Sequence, residues 1–279
     1  MKKRNFMSIT LVIAFTAVLF VHCKKEDSTT LTPTPTPTPS TSNPAKAATE
    51  NASIEAAFSD AFKQVDKFAK DNGKGINSCP TVTITPFDQT YPKDLEIDYG
   101  TSCTGNDGVI RSGKIKAHLT KSYIDSGSVA TVTFDNYYVN SRKITGTEII
   151  TNKGKNNAGH HVFEADVQNG TLYSPDGVTT YNSIQQREWI EGDGTLLDPT
   201  DDVYLNTGTA NGTTTDGVNY TLVITTPLRV ALSCAWVESG KFEMTEPNIP
   251  VITLDYGNTG CDNDAVVTCA GYTFNIEMP

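Results

Sequence analysis

The hydrophobic positions change period once along the chain. From Asn51 or Ser53, either of which would serve as an N-cap, Ile54, Ala57, Phe58, Ala61, Phe62, Val65, Phe68 and Ala69 recur at three- and four-residue steps. Glu55, Asp60, Lys63, Asp66, Lys67 and Lys70 lie off that stripe. The spacing predicts one amphipathic helix over 51–73, closed by Asn72-Gly73 and packed through its phenylalanines onto a sheet. After Gly75 a period of two takes over: Ile115, Ala117 and Leu119; Ala130, Val132 and Phe134; Phe163, Ala165 and Val167; Tyr220, Leu222 and Ile224; Leu228, Val230 and Leu232. Hairpin signals stand between the runs at Asp125-Ser126-Gly127, Asn169-Gly170, Asp176-Gly177 and Asp216-Gly217. The expected fold is therefore mainly β. It is a large antiparallel meander of about 12–16 strands over 76–279, built as a curved sheet, an open barrel or a sandwich, with one N-terminal helix. No βαβ spacing occurs, which argues against Rossmann- and TIM-like enzyme folds.

Two hairpin units, at 79–110 and 234–267, match each other. Leu95-Glu96-Ile97-Asp98-Tyr99-Gly100 reads against Ile252-Thr253-Leu254-Asp255-Tyr256-Gly257, and Asn106-Asp107 against Asn263-Asp264. A cysteine precedes and follows each Asp-Tyr-Gly: Cys79 and Cys103 in one unit, Cys234 and Cys261 in the other. Prolines at the midpoints, Pro92 and Pro247, suit a bend there. Because a hairpin sets the first residue of one strand opposite the last of the other, disulfides Cys79–Cys103 and Cys234–Cys261 are expected. Cys269, in a turn with Ala270-Gly271, is then left over; Cys261–Cys269 is the competing pairing. The two Asp-Tyr-Gly elements read either as a duplicated module or as two ends of one sheet finished alike, their carboxylates serving the turns.

Composition places the chain outside the cytoplasm. Residues 1–22 carry Lys2, Lys3 and Arg4, then an apolar run from Phe6 to Val21 that is short for a membrane span but suits a secretory signal. Once they are removed, 19 of the 22 basic residues face all 32 acidic ones, a net charge of −13. That balance excludes nucleic acid as the expected partner. Cys23 follows the apolar run, ahead of Lys24-Lys25-Glu26-Asp27. The arrangement resembles a bacterial lipoprotein signal, with His22 standing where that family usually places Gly, Ala or Ser. The charged tetrapeptide resembles the export tag of Bacteroidetes-type surface lipoproteins. That resemblance implies lipidation at Cys23, an outer-membrane anchor and a cell-exterior location; the periplasmic face is the alternative. Residues 23–50, with the Thr-Pro run from Thr32 to Pro39, read as a polyproline II stalk of up to about 80 Å.

Candidate chemistry is sparse. Asp262, Asp264 and Asp107 put oxygen ligands on loops and are weak calcium candidates; no other cofactor is expected, and EF-hand spacing is absent. His160-His161 with Glu164 lacks the spacing of a helical zinc motif, and no nucleophile elbow or phosphate loop occurs. Tyr137, Tyr138 and Trp189 are the candidate ligand-stacking aromatics, and one of the two adjacent tyrosines must face outward on a strand. The expected function is a non-enzymatic surface module binding polysaccharide or protein. A carrier of a hydrophobic ligand between sheet and helix is the alternative, and a surface glycan or peptide hydrolase a further one.

Overall fold

Asn43 opens helix α1 (Pro44–Lys70): its Oδ1 accepts from the Ala45 and Lys46 amides at 3.1 and 3.3 Å, and Pro44 takes the first helical position. The computed structural model describes residues 43–70, 79–258 and 260–278. The expected caps at Asn51 or Ser53 are therefore eight or ten residues late, more than two turns: Ser53 is interior, its hydroxyl donating to the Thr49 carbonyl, and residues 44–50 belong to the helix rather than the stalk. The signal segment, Cys23, the Thr-Pro run and Asn72-Gly73 lie outside the described residues.

Among the described residues fourteen strands follow in one antiparallel sheet: β1 (Thr81–Thr85), β2 (Lys93–Asp98), β3 (Cys103–Thr104), β4 (Ile110–Leu119), β5 (Val129–Val139), β6 (Arg142–Lys155), β7 (His161–Ser174), β8 (Gly177–Glu191), β9 (Val203–Thr213), β10 (Asn219–Ala231), β11 (Ser239–Thr245), β12 (Ile252–Asp255), β13 (Asp264–Cys269) and β14 (Tyr272–Glu277). The order is that of a meander, with β3 set off the path beside β4, and β1 and β14 do not pair. The sheet is curved and open. α1 touches β4, β6, β7 and β8 and also β12, β13 and β14, so the strands curl round it.

Bulges produce the curl. Register breaks run across four neighbouring strands near Gly113, Asn136, Gly146 and Asn169, all with positive φ. A side chain at Gly113 would meet the Asn136 carbonyl at 2.0 Å, and one at Gly146 the Asn169 carbonyl at 2.8 Å, so adjacent bulged strands close on each other where they bend. Asn169-Gly170, expected as a hairpin turn, is one of these bulges inside β7. The other three signals form turns between strands.

Wrapping changes the fate of the helix's polar positions. Ala56 is the one residue of α1 in the exposed range, and Glu55, Asp60 and Asp66, which lie off the apolar stripe, are buried. Phe58 stacks against Tyr181 and meets Phe134 edge-on, while Phe62 packs edge-on against Phe163 and Tyr204. Two disulfides, Cys79–Cys103 and Cys234–Cys261, join Cα atoms 5.9 and 5.7 Å apart; Cys269 is free and buried at the β13–β14 turn. Both Asp-Tyr-Gly elements end strands near the two margins of the sheet. Each aspartate accepts from the glycine amide two residues on, at 2.8 Å for Asp98 and 2.9 Å for Asp255.

Candidate functional site

The inner face of the sheet is spent on α1, so the described aromatics divide by face. Tyr137 is fully buried, its hydroxyl donating to Asp60 Oδ2 at 2.7 Å. Burial, reinforced by the Asp60 charge, raises its phenol well above the ordinary value. Tyr138, one residue on, points outward and is 36% exposed. In register beside it across β6 and β7 stand Lys143 and then Tyr173, which is 46% exposed, with Ser112 and Val178 extending the row at either end. Two strand spacings put the tyrosines about 9–10 Å apart. Lys143 Nζ lies 5.9 Å from the Tyr138 ring centre and donates to Asn136 Oδ1 at 3.0 Å. A shallow open groove runs over this row, edged by Ser141, Thr145, Ser174 and Pro175. Thr145, Thr171, Thr180 and Thr213 form the neighbouring row in register, so the aromatic pair borders a line of hydroxyls.

No family model, curated protein or solved structure matches the chain. The residues themselves therefore carry the functional reading.

Trp189, grouped from sequence with the stacking aromatics, is instead core. It is 0% exposed, stacks on Tyr204 and donates from Nε1 to Asp202 at 3.0 Å. Burial raises the Asp202 carboxyl to about 6, against the pull of Lys70. Asp107, a weak calcium candidate, is bonded to Arg111 at 2.6 and 3.1 Å; burial pushes its carboxyl up, but Arg111 outweighs that and holds it below the ordinary range. Asp262 and Asp264 sit in one turn, the Asp264 amide donating to Asp262 Oδ1 at 3.0 Å. No group of three or more His, Cys, Asp or Glu placed to hold a metal occurs among the described residues. His160 pairs with Glu188 at 2.7 Å, whereas His161 packs against Phe163 and Trp189.

A second concavity escaped the sequence reading. It lies along the side of α1 that carries Ala56 and Lys63, where the β10–β11 connection comes up against the β3–β4 turn. Two cavities adjoin there, of about 120 and 270 Å³, both lined by Lys63 and Asp107. Trp236 and Tyr256 line the smaller, Tyr99 and the Cys79–Cys103 disulfide the larger. Arg111 closes the floor, bonded to Asp60 through Nε at 2.9 Å as well as to Asp107. Nothing in the local sequence pattern marks this place, because α1, the 103–111 turn and the 231–237 connection meet only in the fold.

Proposed function

We propose that this chain is a non-enzymatic binding module, held to the outer membrane through lipidated Cys23 and displayed at the cell exterior, that holds polysaccharide on the outer face of its sheet. The carrying observation is the in-register row Tyr138–Lys143–Tyr173 beside a line of threonine hydroxyls. Half-exposed phenol rings offer flat apolar faces to the C–H faces of sugar rings, while lysine and hydroxyls meet sugar hydroxyls. Display of the domain clear of the membrane is supported by the sequence alone, through the Thr-Pro run between Cys23 and the start of α1 at Pro44.

The rival readings have less behind them. A hydrophobic-ligand carrier needs a sizeable apolar space between helix and sheet, where Phe58, Phe62 and Phe68 pack and the Trp236-lined cavity beside α1 is only about 120 Å³. A glycosidase needs two accessible carboxylates of divergent pKa; Glu148 is wholly buried, and Asp60 and Asp107 both serve Arg111. Screening neutral and acidic glycans against the lipid-free protein tests the proposal. A ligand retained by the wild type and bound about tenfold or more weakly by Tyr138→Ala/Tyr173→Ala supports it. Equal binding by both proteins, or none by either, overturns it.

A further inference from the structure

The amine of Lys63 is the least explained group beside α1. Its Nζ donates to two backbone carbonyls, Cys234 O at 2.7 Å and Ala231 O at 3.2 Å, which leaves one of its three protons uncommitted. No carboxylate forms an ion pair with it among the described residues. The two nearest in charge, Asp60 and Asp107, are taken by the Arg111 fork. Lys63 lines both cavities. A cation without a counter-ion in a confined polar space is costly unless an anion joins it.

We propose that Lys63 anchors the carboxylate of a small monoanionic ligand in the larger cavity beside α1. The charge arithmetic selects a monoanion. Lys63, Lys67 and Arg111 stand against Asp60 and Asp107, an excess of one positive charge. The remaining polar side chains of that cavity, Gln64, Tyr99, Thr104, Asn106, Thr200 and Ser233, are neutral. With the guanidinium fork already occupied, a phosphate dianion finds no bidentate partner. The adjoining smaller cavity, walled by Val109, Val139, Leu228 and Trp236, takes the apolar body of the ligand. This site is independent of the tyrosine row on the other face.

The other charges near Lys63 are Arg142 and Glu55 in the smaller cavity, and Arg187 on β8, which faces Ser59 and Glu148. Burial lowers the Lys63 amine to about 8, against the upward pull of Asp60 and Asp107. A bound carboxylate favours the charged form, so it raises that value, and affinity falls as pH climbs past about 8.

Butyrate and benzoate are the probes, with butanol, benzamide and methyl phosphate as controls. Lysine side-chain NMR titration of the wild type reads the site without any variant: the Lys63 transition moves to higher pH when butyrate or benzoate is present. Calorimetry on Lys63→Gln shows about a tenfold or greater loss, and Lys63→Arg retains binding. An unmoved Lys63 transition at saturating carboxylate overturns the proposal. Binding of butanol, benzamide or methyl phosphate as tight as that of the carboxylates also overturns it.

Discussion

The Lys70 ammonium lies 3.4 Å from the centre of the Trp189 ring, between the carboxylates of Asp66 at 2.8 Å and Asp202 at 3.0 Å. All three ionic side chains are buried, and Tyr204 donates its hydroxyl to Asp66 at 3.0 Å. This cluster ties the last turn of α1 to the β8–β9 region.

Lys70→Met keeps the bulk but strands two carboxylates in the core. Breaking such a buried pair costs about 3–5 kcal/mol. Urea denaturation at pH 8 measures it, and the loss is smaller at pH 5, where Asp202, raised by burial to about 6, takes up a proton. An unchanged midpoint at pH 8 contradicts the assignment.

Glu148 gives stability a pH dependence of known sign. Burial is the main cause that lifts its carboxyl to about 8; Glu55 adds to the rise and Arg187, 3.8 Å away, opposes it. The folded chain then keeps a proton that the unfolded chain releases near 4.5. The resulting stabilisation is complete below about pH 4.5 and disappears as pH rises through about 8, a loss on the order of 4 kcal/mol. Glu148→Gln, neutral at every pH, matches the wild type near pH 5 and exceeds it at pH 8. Parallel stability curves for the two proteins contradict this.

Gly170 shows what sequence pattern conveys and what it omits. Asn-Gly between alternating runs is a sound hairpin signal, yet β7 continues through it as a bulge, because the strand must bend round Phe58. A Cβ at Gly170 would lie 2.7 Å from the Tyr181 carbonyl and 2.9 Å from the Phe58 ring. Gly170→Val is therefore expected to lose about 2 kcal/mol or more by thermal unfolding. Tolerance of valine there contradicts the close approach.

Period-two alternation makes the meander legible, and paired cysteines flanking each Asp-Tyr-Gly make the disulfides legible, since both are local to a hairpin. The fate of Glu55, Asp60 and Asp66 is not, because a 3.6-residue stripe reports one apolar face and says nothing of a sheet that closes round the others. The opposite facing of Tyr137 and Tyr138 follows from strand geometry alone, but which of them faces out depends on the register. Trp189 carries no mark distinguishing core from surface. The Lys63 cavities depend on contacts between segments far apart in the chain.

The disulfides carry separable predictions. Closing the 27-residue separation between Cys234 and Cys261 is worth about 3.5 kcal/mol in the chain-entropy account. The double variant Cys234→Ser/Cys261→Ser should lower stability by that order in denaturant. Burial pushes the Cys269 thiol above its ordinary value, so it should react with thiol reagents only on unfolding. Recovery of a Cys261–Cys269 peptide on non-reducing mapping contradicts the pairing.

The most direct test of the binding account is amide NMR mapping with a glycan found in the screen. Shifts confined to Ser112, Tyr138, Lys143, Tyr173, Val178 and the adjoining threonine row are the predicted result. Shifts centred on α1 or the inner face, with the tyrosine row silent, would contradict it.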